Sequence, residues 1–580
     1  MASIEEKRHT LAHVLAAAVR EQYPHAKATI GPAIDTGFYY DFDFSGGNAP
    51  KEADLVALTE SMREILADWS EMTGIEVPEK DAKDRFAGNE YKTELIDEIV
   101  GKGEKITLYT AGGFTDLCRG GHSEKPSKDI AADSFELERV AGSYWRGDEN
   151  KQALTRIYGL AFETKADLEA YKEQIEEAKK RDHRKIGQEL DLFTFSALVG
   201  PGLPLWTPKG TLIRHLLDGF IWELRQKNGY DRVTIPHITK KDLYIKSGHW
   251  AKFEDELFRI KTREGKEYAM KPMNCPHHTQ IFDRKPHSYR DMPQRYAETT
   301  MVYRDEQSGE LGGLTRVLSI TQDDSHVFCR PNQVKEEFFR IWDMVDTFYG
   351  TFGFKMQPRL SFHDPEQMEK YLGTPETWKQ AEDSLREIAA ERNAEAFIGI
   401  GEAAMYGPKL DFMAMDSLGR QHQVATIQLD MLQPERFDLN CTNEKGEKEQ
   451  VVMIHCAIMG SIERFSAVLI EHVAGNFPVW LSPTQVRVLP VSEKHAEYAA
   501  TISTTLTEAG VRVILDESNE SLGKKIRAAK ADKTPYVIII GDTEVASQKL
   551  TIEGRDNGKE ENVDLSEFVS RIQKEIAERA

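Results

Sequence analysis

Apolar positions in the first 162 residues follow two different periods. Leu11, Val14, Leu15 and Ala18 recur at helical spacing, whereas FYYDFDF and GSYWRG are short β-rich pieces. This mixture predicts a compact α+β domain over 1–162. The following stretch, TKADLEAYKEQIEEAKKRDHRKIGQEL, is helix-forming throughout, with Leu168, Tyr171, Ile175 and Ala178 on one stripe and no glycine before Gly187. A linker helix is therefore expected over 163–187, basic across 179–185. Glycine and proline crowd GPGLPLWTPKG, a loop that opens a long segment, 188–483, in which helical patterns alternate with strands such as RVTIP, KLDFMAM and VVMIHCAIM. One large sheet-centred domain is expected there. From Thr484 the strands QVRVLPV, VRVILD, YVIIIG and QKLTIEG alternate with helices, the rhythm of a small α/β domain with a partly parallel sheet over 484–580.

Composition sharpens this picture. A chain of 580 residues exceeds what one hydrophobic core sustains, so a multidomain protein is expected. Hydrophobic residues make up 40% and charged residues 29%, and no apolar run approaches the roughly 18 residues of a membrane span. The N-terminus, MASIEEKRHTLAH, lacks the apolar core and cleavage site of a secretory leader. A cytoplasmic protein without membrane contact is the expectation. The cysteines, Cys118, Cys275, Cys329, Cys441 and Cys456, are odd in number and scattered, which suits thiolate ligation in a reducing compartment better than a disulfide framework. With 75 basic against 96 acidic residues the net charge is −21, which argues against indiscriminate coating of nucleic acid and leaves room for local basic patches.

Three groups of residues carry candidate chemistry. His9 and His13 share one helix face, while Cys118 and His122 in DLCRGGH are separated by Gly120 and Gly121 and require a loop. Their types suit a four-coordinate metal site or a hydrolytic pocket; surface or packing histidines are the plainer alternative. In ITQDDSHVF, strand alternation puts Gln322, Asp324 and His326 on one face and Thr321, Asp323 and Ser325 on the other. That row fits either the floor of a polar pocket or a solvated edge strand. Cys275 in KPMNCPHH and His455 in VMIHCAIMGSIERF are further soft ligands, with no spacing that ties them to His326. The third group is cationic: Arg304, Arg316, Lys409 and Arg464. An apolar run ending at Gly460 and Ser461, with Arg464 just beyond, suits a strand that delivers a helix N-terminus and a guanidinium to a phosphate, although each arginine alone is an ordinary ion-pair residue.

Taken together, HTLAH, IGPAIDTGFYYDFD, DLCRGGH, AGSYWRGD, KRDHRKIGQELDLF, MKPMNCP, YRDEQSGELGGLTRV, TQDDSHVFC, YGPKLDF, IQLD and GSIERF closely resemble the bacterial threonyl-tRNA synthetases, a family of class II aminoacyl-tRNA synthetases, from residue 9 to the end. The resemblance implies an α+β multidomain protein: an N-terminal α+β editing domain (1–162), a linker helix (163–187), a class II catalytic domain on an antiparallel sheet (188–483) and a C-terminal α/β anticodon-binding domain (484–580). The implied activity is ATP-dependent ligation of threonine to tRNA(Thr) through a threonyl-adenylate, with hydrolytic editing of seryl-tRNA(Thr), in a homodimer formed through the segment around Pro236.

By motif, Cys275, His326 and His455 would hold one zinc ion per subunit, and magnesium would accompany ATP. Arg304 and Arg464 match arginines on the α- and γ-phosphates, and Arg316, Lys409 and Gln423 lie near the adenylate. Gln322, Asp324, Tyr406, Gln428 and Ser461 surround the amino acid, Asp324 matching the acid that accepts the substrate hydroxyl. His9, His13, Cys118 and His122 match the editing site, with Tyr40, Lys92 and Asp116 beside it and no required metal.

The chain also departs from the family pattern. It lacks the usual small extra N-terminal domain; Leu318, Ser319 and Ile320 replace Arg, Gly and an aromatic; Cys456 replaces Arg, and His277 replaces Gly. Glu544 matches an anticodon-contacting acid, but Glu553 stands where an arginine is expected, with Arg555 or the run Lys524, Lys525, Arg527 and Lys530 as substitutes. Two other functions compete: an RNA-binding paralogue without synthesis, disfavoured by intact Cys275, His326, His455, Arg304 and Arg464, and a stand-alone zinc hydrolase, which leaves most of the chain unexplained.

Overall fold

A computed structural model of the chain describes residues 2–148, 150–253 and 255–580, which form two compact units, Met1–Glu177 and Ala178–Ala580. In the first, the opening helix Ile4–Gln22 starts from a reciprocal cap: the Ser3 hydroxyl accepts from the Glu6 amide and the Glu6 carboxylate from the Ser3 amide. Its stripe of Leu11, Val14, Leu15 and Ala18 is buried in one core with Phe38, Tyr40 and Phe42 of the strand Gly37–Asp43. That strand belongs to an antiparallel sheet ordered Lys27–Ala28, Gly37–Asp43, Ala153–Ala161, Phe135–Tyr144. GSYWRG is only partly strand, since the chain turns at Trp145–Gly147, where Arg146 takes a φ of 62°. A smaller sheet of Thr73–Glu76, Thr107–Ala111 and Phe114–Leu117 ends where the DLCRGGH loop begins.

The expected continuous linker helix is two helices. The first, Lys165–Arg181, contains the division between the units; the second, His183–Glu189, is started afresh by Asp182, which leaves helical geometry and accepts the Arg184 amide. Helix-forming composition did not reveal that break, because an aspartate offers the backbone an alternative partner without disturbing the apolar stripe.

The second unit is built on an eight-stranded sheet, in the order Asp231–Arg232, Gln294–Tyr303, Ser319–Cys329, Val452–Ser461, Gln421–Asp430, Lys409–Met415, Lys355–Phe362, Phe397–Ile400. Only the two outermost strands pair in parallel. RVTIP contributes little to it: Arg232 is in the edge strand, while the Ile235 amide donates to Glu298. The strand Ser319–Cys329 is interior, which removes the edge-strand alternative. Both of its faces are buried, with the helix Ile462–His472 packed against it.

Between Gln322 and Asp324 the register slips, because Gln322 faces Ser461 whereas Asp324 faces Ala457. The neighbouring strand bulges there, and the Asp323 carboxylate fills the gap, accepting the amides of Ile458 and Gly460 at 2.9 Å each. Burial pushes Asp323 up to about 6 against the opposing pull of Arg225, whose guanidinium lies 3.2 Å from its carboxylate. A further sheet, ordered Val513–Leu515, Val486–Pro490, Tyr536–Ile540, Leu550–Gly554, Gly558–Val563, is parallel over its first three strands and antiparallel beyond, as its rhythm predicts. Among the described residues no helix is long and apolar enough to cross a membrane.

Arg225→Met keeps the stem but strands a buried carboxylate. Urea unfolding should show a loss of about 3–5 kcal/mol, the usual effect of removing one partner of a buried pair; a variant as stable as the parent would contradict the role given to Asp323.

Candidate functional site

One face of the strand Ser319–Cys329 joins two chemically different centres. At its start, Gln322 helps line a cavity of about 260 Å³ with Arg304, Arg316, Gln423, Ser461 and Arg464. Ser461 caps the helix Ile462–His472, its hydroxyl accepting the Arg464 amide, so the helix begins in the cavity wall. Gly460 precedes it at a φ of 78°, where a Cβ would lie 2.6 Å from the Val424 carbonyl. Glu463 locks the helix to the strand by accepting both the amide and the hydroxyl of Thr321.

Three guanidiniums face this space. Partial desolvation, then Arg304 and Arg316, lower the pKa of Arg464, whose Nε donates to the Thr315 carbonyl at 3.1 Å. Arg316 is countered by Glu306 at 2.6 Å and Glu310 at 3.2 Å. Like charges crowded at a helix N-terminus favour a polyanion. Lys409 stands outside this lining, its ammonium 3.2 Å from Asp411; Arg359 bridges Asp411 to Gln423.

Farther along the same face, in steps of about 7 Å per two residues, come Asp324 and His326. Cys275, His326 and His455 are all buried, with one ligand atom from each within 4.8 Å of the others. Second nitrogens on the imidazoles are engaged: His455 Nε2 lies 2.9 Å from Asp430, and His326 Nδ1 lies 2.8 Å from His278 Nδ1. This leaves His326 Nε2 and His455 Nδ1 3.0 Å apart. Burial pushes the Cys275 thiol well up and His326 well down, so the thiol and the His326 ring converge on His455 as uncharged groups. A soft divalent cation fits such a donor set. Tyr406 stacks on His455 with ring centroids 4.7 Å apart and donates to Gln428. Asn274 donates to one oxygen of Asp324 at 3.0 Å.

In the N-terminal unit, Gly120 and Gly121, both at positive φ, bend the DLCRGGH loop so that Cys118 and His122 meet His9 and His13, with all four ligand atoms within 4.8 Å. His9 donates to the Gly121 carbonyl through Nδ1, and its Nε2 lies 3.3 Å from the Cys118 sulfur. Asp116 is the buried anchor. It takes Lys92 at 2.5 Å, the Tyr40 hydroxyl at 2.6 Å and, off the hydrogen-bonding line, His13 at 3.0 Å. Burial opposes the charge on His13, but Asp116 and Cys118 outweigh it and raise His13 to about 9. Burial likewise opposes the Cys118 thiolate, yet His122, His13 and His9 bring it down to about 3.

Residues 258–473 match the tRNA synthetase class II core domain (G, H, P, S and T), and residues 485–575 match the anticodon binding domain. A threonine--tRNA ligase of Porphyromonas gingivalis is 48% identical over 573 residues, covering 98% of this chain and 87% of that protein. The chain belongs to the threonine--tRNA ligase family. A second family member, from Phocaeicola vulgatus, is 46% identical over 98% of this chain and 88% of its own length. Among solved structures, the RNA binding domain of threonyl-tRNA synthetase from Cryptosporidium parvum Iowa II aligns with a TM-score of 0.64 and 38% identity, over 68% of this chain and 98% of that one.

Both centres of the strand Ser319–Cys329 fall within the span matched to this synthetase core. In the span matched to the anticodon domain, two of the basic residues expected to substitute for an arginine are engaged elsewhere. The buried Lys525 ammonium bonds the carbonyls of Pro490 and Asp516, and Arg555 bonds those of Lys533 and Phe477. Glu553 pairs with Lys530 at 2.8 Å, and Glu544 accepts the Gly541 amide and the Thr551 hydroxyl. Lys524 pairs with Glu520.

The sequence reading missed Asp430, Asn274, His278 and Glu463. All four sit in motifs already noticed, IQLD, KPMNCPHH and GSIERF, where a polar residue beside a candidate site residue was the available signal.

Cys118 is the half-exposed cysteine; the other four are buried. With its thiol near 3, the Cys118 alkylation rate should stay flat from pH 8 to pH 5, whereas a thiol near its ordinary value of about 8.5 slows about tenfold per unit. His13 adds stability that is full below its ordinary value of about 6.5 and lost as pH rises through about 9. Iodoacetamide kinetics, with Cys118→Ser as control, checks the first point; a tenfold decline per unit would refute the ionised pair.

Proposed function

We propose that this threonine--tRNA ligase family member joins threonine to tRNA(Thr) in two steps on the face of the strand Ser319–Cys329. One observation carries the reading: a three-arginine cavity and a buried thiol–imidazole cluster share that face, with Asp324 between them. In the first step a carboxylate oxygen of threonine attacks the α-phosphorus of ATP, and the bond to the bridging oxygen breaks to release pyrophosphate. Arg304, Arg316 and Arg464 hold the polyphosphate and its developing charge, and magnesium accompanies the nucleotide. Gln423 and Lys409 border the adenylate. In the second step a hydroxyl of the terminal ribose of tRNA attacks the threonyl carbonyl and AMP leaves.

Cys275, His326 and His455 would hold zinc. Three protein ligands leave positions open, and bound zinc supplies Lewis-acid sites for the amino and hydroxyl groups of threonine. Asp324, with one oxygen held by Asn274, accepts the threonine hydroxyl on the other. Gln322, Tyr406, Gln428 and Ser461 close around the amino acid. Valine fills the same volume without the hydroxyl and leaves these polar groups unmatched, so it is rejected strongly.

Serine keeps the hydroxyl and lacks one methyl, worth only about 1–3 kcal/mol. A second site must therefore clear seryl-tRNA(Thr), and His9, His13, Cys118 and His122, with Tyr40, Lys92 and Asp116, are assigned to it. The Cys118 thiolate facing protonated His13 supports this assignment, since such a pair can hold a water and pass a proton to the leaving ribose. A cytoplasmic homodimer through the segment around Pro236 completes the proposal, supported by the exposed Ile238 beside it.

Purified protein should carry about one zinc per chain, and Cys275→Ser should lose metal and threonine-dependent pyrophosphate exchange together. Full exchange in metal-free protein would overturn the zinc assignment. His13→Ala and Cys118→Ala should leave threonine activation within about twofold of the parent, while seryl-tRNA(Thr) accumulates because a proton-transfer group is gone. Equal deacylation of seryl-tRNA(Thr) by parent and variants would make the N-terminal cluster structural.

A further inference from the structure

His183 lies in the basic run KRDHRK and belongs to neither centre, yet its buried ring joins two elements of the arginine cavity. Its amide and its Nδ1 both donate to Glu471 Oε1, at 3.1 and 2.7 Å, and its Nε2 accepts the Leu314 amide at 3.1 Å. A carboxylate can only accept and an amide N–H can only donate, so these partners select a neutral ring with its proton on Nδ1. Glu471 occupies the last turn of the helix Ile462–His472, whose first turn carries Arg464, and Arg420 clamps its second oxygen at 2.6 Å.

Leu314 is fully buried in the loop 312–316. Gly312 and Arg316 bridge to close that loop; its Thr315 carbonyl receives Arg464 Nε, and its Arg316 lines the cavity. Gly313 sits between them at a φ of 56°, so close to the imidazole that a Cβ would lie 2.4 Å from His183 Nε2. The loop thus meets the helix directly at Arg464 and again, at the far end of the helix, through one histidine ring.

We propose that His183 is a positioning residue for nucleotide binding: its ring tethers the loop 312–316 to the helix Ile462–His472, holding Arg316 and Arg464 at the separation one triphosphate requires. This rests on the assignment of the cavity to ATP. A residue that merely fills space would serve as well with either of two amides in its place; a tether would not. Asparagine retains a donor near Nδ1 for Glu471 and nothing at Nε2, whereas glutamine carries a carbonyl out to the Nε2 position, where it can accept from Leu314, and keeps Glu471 through the backbone amide of residue 183.

Threonine-dependent pyrophosphate exchange should show a KM for ATP raised about 5- to 10-fold in His183→Asn, the effect of one lost hydrogen bond. KM for threonine and bound zinc should stay unchanged, and His183→Gln should return KM for ATP toward the parental value. Equal impairment in both variants, or none in His183→Asn, overturns the proposal. Amide hydrogen exchange tests the tether apart from nucleotide: Leu314 should exchange slowly in the nucleotide-free parent and faster in His183→Asn than in His183→Gln. Fast exchange of Leu314 in the parent overturns the tether, and that measurement decides the matter if neither variant folds. A parent without pyrophosphate exchange would instead overturn the ATP assignment and leave the Leu314 result standing.

Discussion

The Asp323 carboxylate, buried in the middle of the large sheet, governs where the arginine-lined end of the site lies. Two backbone amides lose their ladder partners where the strand Val452–Ser461 bulges, and each would cost about 1–3 kcal/mol if left unmatched. Asp323 accepts both, and Arg225 supplies the countercharge that makes an ionised acid tolerable there. Because the bulge is stabilised, the strand can pass through Gly460 in a left-handed conformation and end on Ser461, which caps the helix. Arg464, Glu463 and Glu471 ride on that helix, so their positions follow from one buried carboxylate.

Charge is distributed along the site in opposite senses. At the helix N-terminus positive charge is in excess, with Glu306 and Glu310 in direct contact with Arg316, and an anion relieves it. At the Cys275 cluster burial drives the thiol and His326 toward neutrality, leaving a converging set of soft donors that suits a cation. The N-terminal unit pairs its charges internally: the Asp116 carboxylate meets Lys92 and His13, and His122, His13 and His9 draw the Cys118 thiol down.

Much of this was legible because it is local. The opening helix betrayed itself by its stripe, KLDFMAM is the strand Lys409–Met415 residue for residue, and the turn from strand to helix at Gly460 and Ser461 was marked by the residues that make it. What stayed hidden depends on partners far apart in the chain. Alternation correctly put Asp323 opposite Asp324, but an edge strand and a strand covered on both sides share that pattern until the covering helices are known. Nothing near Asp323 announces Arg225, 98 positions earlier. His183 was equally silent: within KRDHRK it looks like one more solvated base, and only Glu471 and Leu314 reveal otherwise.

The bulge also decides which changes of length the chain can absorb. His455 and Ser461 lie on one strand and serve the two ends of the site, and the path between them is longer than the facing stretch of its neighbour by the looped-out residues alone. Side chains in a strand alternate, so removing one residue from that path would turn His455 or Ser461 to the opposite face. Substitutions between them exchange one contact for another. A deletion there would separate the thiol–imidazole cluster from the arginine cavity at a stroke, and surface loops such as Asn443 to Glu447, which close on themselves, are where the chain can vary in length freely.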